Sequence, residues 1–456
     1  MISLKKIKKV HMIGIKGTGM SALALALRSL GIQVSGSDAK DSFMLLDQPR
    51  FTRAGIKINH DFSAEHVTSK LSAVIVSSSH LTKNPEVNKA RKLKIQILEY
   101  KDVIGILSEE FRSIAVTGSH GKTTTTNMLA HVLRPVLAIA GPTSPQVLDE
   151  MKPGSMFVFE ADEYQNKLKS YSPFGVILTN VELDHPDYFK SQAQYERVFS
   201  QFVQRIPSEG FLVYCHDDEA ARHIATKAKC KKLGYGFSEG STYLIRAVEN
   251  PTNGAPFALH NHATPVGIFR TALLGRHNIL NAAAVVLAAR ELGVDDEKIK
   301  GALMSFRGSP RRLQKVSTNP LVFDDYGHHP TEIKATIKAL RDTYPDKKII
   351  TVFHPHTFTR TKKFLKEFGD SFADSDHTIV LEIWGSARET HGTVSSRDVV
   401  AEIEKHKGRA EYAATFEDAA KLLKGKLGDD TLLLTIGAGD IWKLHPYVIN
   451  RNSRAS

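Results

Sequence analysis

Residues 117–126 read TGSHGKTTTT, between the apolar run SIAV and the helix-compatible NMLAHVL. A buried strand, a glycine-bearing turn with one lysine and a helix start make an anion cradle. Backbone N–H groups and the positive end of the helix converge there. In Gly118-Ser119-His120-Gly121-Lys122-Thr123 two residues separate the glycines, where the standard P-loop has four. The physical logic is unchanged: amides surround a β-phosphate, Lys122 neutralises a transferring phosphoryl group, and the Thr123 hydroxyl is placed to coordinate Mg²⁺.

Such an ion needs hard oxygen ligands. FVFEADEY supplies Glu160, Asp162 and Glu163 at the end of an apolar strand, and TNVELDHPD supplies Asp184, His185 and Asp187 beyond another. Behind a P-loop, both read as metal and substrate groups. The histidines of HNH (260–262) and HPH (354–356) lack cysteine partners and a helical H-x-x-x-H spacing. They read as surface or substrate-site residues rather than zinc ligands.

A second glycine cluster lies near the N-terminus. Gly17-Thr18-Gly19-Met20-Ser21-Ala22 fits G-x-G-x-x-A after a strand, and Asp38 closes the next strand nineteen residues past Gly19. This is close to the dinucleotide fingerprint, in which the helix start faces a pyrophosphate and the acid takes a ribose hydroxyl. NAD and UDP both carry those groups, and the cluster alone does not choose between them.

The elements that must position these loops follow a simple pattern. Apolar β-rich runs (VHMIGI, QVSGSD, SAVIVSSS, SIAVTG, MFVFEAD, GVILTN, IITVFH, HTIVLEI, TLLLTIG) alternate with helical stretches. That is the α/β class with parallel sheets, whose ligands gather at the carboxyl ends of strands. A chain of 456 residues exceeds one ordinary core. We expect three domains: a Rossmann-like body over 1–108, a central P-loop body over 109–313 and a Rossmann-like C-terminal body over 314–456.

Composition narrows the setting. The net charge of +12 favours anionic partners. Only Cys215 and Cys230 are present, which fits a reducing cytoplasm better than a disulfide framework. Lys16 and three glycines interrupt the apolar N-terminal stretch, so it does not read as a secretory signal. The run NAAAVVLAARELG is too short to span a membrane.

In combination, GIKGTGMSA, TGSHGKTTTT, FEADE, TNVELDHPD, GRHNILNAAA, RRLQ, DDYGHHPTEI, HPHTFTRT, EIWGSARE and TIGAGDIW resemble the Mur ligases, which build the peptide stem of peptidoglycan. The resemblance runs in order from residue 14 to 442. It implies UDP at the first cluster and ATP at the second. The implied substrates are UDP-N-acetylmuramate, ATP and L-alanine, with Mg²⁺ (or Mn²⁺) as cofactor, no nucleic acid, no membrane, and a monomer or homodimer. Gly17, Thr18, Gly19, Met20, Ser21 and Ser77 would face the UDP-sugar, with Asp38 near the uridine. Gly118, Ser119, His120, Gly121, Lys122, Thr123 and Thr124 would hold ATP phosphates, and Asn278 and Asn281 the adenine. Arg312 would reach the phosphates and Asp325 the ribose. Thr123, Glu160 and His185 would bind the metal. Tyr326, His328, His356 and Arg360 would position the amino acid, with His328 a reasonable base for its amine.

Three features stand against a simple transfer of these roles. The stretch from Val132 to Ser155 is shorter than usual for the family, and FEADEYQNKLKS is nearer to a branch that attaches a recycled tripeptide to the same sugar nucleotide. Thr357 also stands where arginine is common. Two readings from outside the family stay open on residues alone. An NAD-dependent oxidoreductase accounts for GTGMSA but leaves the P-loop idle, and a nucleic-acid-stimulated ATPase accounts for the charge but brings no stacking motif.

Overall fold

A computed structural model describes residues 4–39, 48–77, 80–140, 156–247, 255–385, 389, 391–406 and 408–449. Much of the shortened stretch after the P-loop helix (141–155) and residues 386–388 of EIWGSARE lie outside the described residues.

Three sheets divide the chain. The first holds β1 (Lys9–Ile13), β2 (Gln33–Ser37), β3 (Lys57–Asn59), β4 (Ala73–Val76) and β5 (Gln96–Glu99), all parallel, in the order β3-β2-β1-β4-β5. The chain reverses its direction of travel at β1, and the first glycine loop leaves that strand. Such a switch point opens a crevice for a ligand.

The second sheet has nine strands. They are β6 (Arg112–Thr117), β7 (Leu137–Ile139), β8 (Met156–Glu160), β9 (Gly175–Leu178), β10 (Phe211–Cys215), β11 (Lys231–Gly236), β12 (Tyr243–Ala247), β13 (Ala255–Asn261) and β14 (Thr264–Thr271). Their order is β14-β13-β12-β11-β10-β9-β6-β8-β7, parallel except where β13 joins its two neighbours. The strand feeding the P-loop, β6, lies between β8 and β9. It therefore brings the loop between the FEADE and TNVELDHPD segments.

The third sheet runs β15-β16-β20-β17-β18-β19, built from β15 (Gln314–Thr318), β16 (Leu321–Asp325), β17 (Lys348–Phe353), β18 (His377–Leu381), β19 (Ala410–Ala413) and β20 (Thr431–Ile436). Only β15 is antiparallel to its neighbour. All six residues of the central strand β20, TLLLTI, are buried, as expected for a parallel strand covered on both faces.

The helix Tyr100–Glu110 ties the first two sheets together. Glu99 and Asp102 cap its start reciprocally. Its Val103, Ile104 and Leu107 belong to one continuous apolar core that extends to Phe157, Phe159 and Tyr171 of the central body. A Cβ on Gly105 would lie 2.4 Å from the Ser170 carbonyl, so only glycine permits this approach.

Candidate active site

The P-loop is shaped by its glycines and pinned by β9. Gly118 (φ 133°) and Gly121 (φ 81°) occupy backbone conformations that favour glycine. A Cβ on Gly118 would lie 2.2 Å from Thr179 Oγ1. Asn180 Oδ1 accepts from the His120 amide at 2.9 Å, the Thr179 hydroxyl donates to the His120 carbonyl at 2.7 Å, and the Ser119 hydroxyl donates to the Glu182 carbonyl at 2.6 Å. The helix Lys122–Leu133 starts from Gly121 with no side-chain cap, leaving its amides to an anion.

Lys122 is folded into this loop. Its ammonium donates to the Gly118 carbonyl and, at 3.0 Å, to the Ser119 carbonyl, and it pairs with Glu163 Oε2 at 3.1 Å. Burial works against the charge, but Glu163, Asp162 and Glu160 hold the ammonium above its ordinary value. Glu163, fully buried, also accepts from the Tyr195 hydroxyl at 2.9 Å.

The expected metal set of Thr123, Glu160 and His185 is divided in the structure. The Thr123 hydroxyl donates to Glu160 Oε2 at 2.9 Å and accepts from Arg312 Nη2 at 3.2 Å. His185 Nε2 lies instead 3.6 Å from Glu163 Oε1, and Asp162, Glu163 and His185 offer donor atoms within 4.8 Å of one another. The reason lies in the segment after β8: Glu160 ends the strand facing Thr123, whereas Glu163 lies under Lys122. Burial opposes ionisation of Asp162, yet Lys167, His185 and Lys122 bring its carboxyl down to about 2.

A cavity of about 780 Å³ opens beside the loop and is lined by His120, Gly121, Thr124, Asn278, Asn281, Arg312 and Asp325, seven of the residues expected at ATP. Its size suits a nucleoside. Asn281 donates to Asn278 Oδ1 at 3.1 Å, and Asn278 donates to the Leu274 carbonyl at 2.7 Å.

Two expected ligand acids turn their carboxylates onto their own loops. Asp325 accepts from the Leu313 and Gly327 amides, both at 2.6 Å, and burial raises it to about 6. Asp38 accepts from the Lys16 amide at 2.8 Å and the Ala39 amide at 2.9 Å. Asp38 thus shapes the first glycine loop from within, where the fingerprint suggests a ribose contact. In that loop Gly17 precedes the helix Thr18–Ser29, which buries Met20, the Ser21 amide returns to the Gly17 carbonyl, and Ser77 Oγ lies 2.9 Å from His80 Nδ1. A Cβ on Gly19 would meet the Tyr100 ring at 3.2 Å. Burial, with the charges of Glu160 and Asp162, raises the Tyr100 phenol above its ordinary value, so this ring stands between the two cradles.

The third sheet closes over the central one. Between β14 and β16 the linker places Arg311 and Arg312 on opposite sides. Arg311 pairs with Asp324 at 3.0 Å and donates to the Gly437 and Gly439 carbonyls at 2.6 and 2.8 Å, while Arg312 reaches back to Thr123. His120 Nε2 lies 3.0 Å from Glu182 Oε2, and its Nδ1 lies 3.4 Å from Glu332 Oε1 of the third body. Burial disfavours the imidazolium, but these carboxylates raise it from 6.5 to about 9. Its contribution to stability is therefore whole below pH 6.5 and lost as pH rises through about 9. The nucleotide-free chain should lose a few degrees of Tm between about pH 6.5 and 9. His120→Gln should flatten that part of the profile; a profile unchanged by His120→Gln would refute the assignment.

The residues expected at the amine meet at this seam. Arg360 is buried and donates from Nε and Nη2 to Asp184 Oδ1 at 3.1 and 2.7 Å, with Nη1 3.0 Å from His356 Nδ1. Its charge is thus already paired across two bodies, where the sequence suggests a cation awaiting a carboxylate. The His328 ring is 5.6 Å from both His356 and Tyr326. Burial, reinforced by Arg360, lowers His328 to about 3. At physiological pH this imidazole is neutral, the form in which a base acts, but only weakly basic. Trp384, 5.2 Å from the His356 ring, joins the group from within EIWGSARE, although the sequence assigned it no role. Tyr195 does not stand out in the sequence by spacing, whereas Glu182 lies within TNVELDHPD and Glu332 within DDYGHHPTEI.

Three sequence profiles match in succession: "Mur ligase family, catalytic domain" over residues 9–112, "Mur ligase middle domain" over 116–289, and "Mur ligase, glutamate ligase domain" over 311–439. The chain is 36% identical over 450 residues to the UDP-N-acetylmuramate–L-alanine ligase of Desulfitobacterium hafniense, covering 95% of this chain and 98% of the relative. The crystal structure of UDP-N-acetylmuramate–alanine ligase from Thermotoga maritima superposes with a TM-score of 0.78 at 25% identity, covering 98% of this chain and 100% of that one. A murein peptide ligase from Psychrobacter arcticus shares the fold, with a TM-score of 0.69 at 23% identity over 97% and 99% of the two chains.

Proposed function

The chain belongs to the Mur ligase family, and from that premise we infer an ATP-dependent ligase that joins L-alanine to the lactyl carboxylate of UDP-N-acetylmuramate. The observation that carries the chemistry is the convergence of Lys122, Thr123 and Arg312, from two bodies, beside a nucleoside-sized cavity.

A carboxylate does not form an amide without activation. The γ-phosphoryl group of ATP passes to the muramoyl carboxylate, giving an acyl phosphate; the amine then attacks, and the tetrahedral intermediate releases phosphate. Lys122 exchanges its loop carbonyls and Glu163 for phosphate oxygens, and Arg312 adds a second cation. Glu163 is kept in place by Tyr195, which is itself 3.1 Å from Ser119 of the loop.

The donor set at Lys122 fits a hard divalent cation: Thr123 Oγ1 and Glu160 Oε2 are adjacent oxygens at the loop's helix start. We propose these two for Mg²⁺, which neutralises phosphate charge when bound, and assign His185 to orienting Glu163. We place the first glycine loop at the UDP pyrophosphate, Asn278 and Asn281 at adenine, and His356 and Arg360 at the amine seam. Among the described residues no helix is long and apolar enough to cross a membrane, and both cysteines are buried thiols, in keeping with the cytoplasmic setting we propose.

The tripeptide likeness in FEADEYQNKLKS falls on the turn Tyr164–Ser170. There Tyr164 donates to Asp187 at 2.8 Å and Lys167 pairs with Asp162. Those contacts belong to the central body, on the segment whose Asp187 also acts electrostatically on Arg360 at the amine seam. One assay tests the reading. Phosphate release should require the sugar nucleotide, ATP, Mg²⁺ and an amine together, and L-alanine should outpace L-Ala-D-Glu-diaminopimelate at least about tenfold, or about 1.4 kcal/mol. Equal ATPase activity without the sugar nucleotide, or a dominant tripeptide product, refutes it.

A further inference from the structure

The first body contains a cluster that ligation chemistry does not use. His11 lies on β1, His66 on the short turn Ala64–His66, and Glu86 at the start of the helix Pro85–Lys92. His11 Nε2 is 3.4 Å and His66 Nδ1 2.7 Å from the same oxygen, Glu86 Oε1. We propose that His11, His66 and Glu86 form a binding site for a divalent transition metal of the zinc class.

Ligand type, spacing and surroundings all support it. Two imidazoles and one carboxylate are a common zinc set. Bonds of about 2.0–2.1 Å in tetrahedral geometry place ligand atoms about 3.4 Å apart, the His11–Glu86 separation. His66 would need to retreat by roughly 0.7 Å, and it sits on a three-residue turn that can yield. The other carboxylate oxygen is fixed by the Ser37 hydroxyl at 2.5 Å, leaving Oε1 as the single ligand atom.

Each imidazole also has a partner on its far nitrogen. Ser35 Oγ lies 3.0 Å from His11 Nδ1, and Asp61 Oδ1 lies 3.5 Å from His66 Nε2. Such outer partners fix ring orientation and tautomer in metal sites. On binding, each imidazole must present a bare nitrogen to the metal, with its remaining proton on the far nitrogen, donated to Ser35 and Asp61. Glu86 and His11 are 0% and 1% exposed, whereas His66 is 18% exposed and lies on the access path, where water supplies the fourth ligand. The other two described groups of this kind, His120/Glu182/His329 and Asp162/Glu163/His185, belong to the site above. A metal here would fasten β1, which launches the first glycine loop, to the turn and the helix.

The probe is Co²⁺, titrated into the tag-free, metal-stripped full chain while visible absorption is followed. A tetrahedral cobalt band should saturate at one equivalent and persist in Asp162→Asn, which disables the cluster near Lys122. His66→Gln should weaken it about 100-fold or more, beyond the 10–100-fold that outer-partner changes cost. His66→Cys keeps a ligand and should restore binding with an added thiolate-to-cobalt charge-transfer band. No saturable band in the wild type, full binding by His66→Gln, or His66→Cys without charge transfer would each overturn the proposal.

Discussion

Lys122→Ala should lower acyl-phosphate formation by about a thousandfold, or roughly 4 kcal/mol, while UDP-sugar affinity stays within about twofold. Lys122 belongs to the loop after β6, whereas the first glycine loop rises from another sheet, so the two losses separate. The substitution also leaves Glu163 buried without its ammonium, at a cost of up to about 3 kcal/mol. Lys122→Ala with Glu163→Gln should therefore regain stability without regaining phosphoryl transfer. Calorimetry showing the sugar nucleotide lost as well, in a folded variant, would sink this division of labour.

Asp184→Ala should act through closure of the third body. Against their burial, Arg360 holds the Asp184 carboxylate below its ordinary value, and His120, more than His328 or Arg312, does the same for Glu332; both acids sit at the seam between bodies. Removing one partner of a buried pair inside a core costs about 3–5 kcal/mol. Here the third body can swing away and hydrate Arg360, which caps the penalty and converts it into an open population. The expected result is a larger radius of gyration by small-angle scattering and a kcat/KM for the amine reduced about a hundredfold, carried mostly by KM. Unchanged scattering together with full activity would show that the pair does not govern closure.

The α/β architecture and both cradles were legible because their signals are local. Glycines, a lysine and a hydroxyl recur at fixed offsets after an apolar run, and strand ends carry the polar residues. The contacts that the sequence does not show share a different cause. Arg360 looks like an unpaired cation because Asp184 is 176 residues away in sequence. Glu160 and Glu163 look interchangeable, and only the packing of Tyr195 against the loop separates a partner for Thr123 from one for Lys122. Asp38 and Asp325 follow strands just as ligand acids do, and no pattern tells a carboxylate aimed at a ligand from one bonded to its own loop amides. His11, His66 and Glu86 share no motif at all; three distant segments meet only through the strand order of the first sheet.

The linker at Arg311 bears on the engineering of hybrid ligases. Its guanidinium is bound to Asp324 and to the Gly437 and Gly439 carbonyls, and the Leu313 amide is bound to Asp325. Residues 311–313 thus travel with the third sheet, although Arg312 reaches into the phosphate site of the second. A graft that exchanges the third body has its seam at Pro310. A seam after Leu313 would leave the Arg311 of one parent facing the acid and glycine carbonyls of another, and would entrust Arg312 to a half-turn that neither parent built.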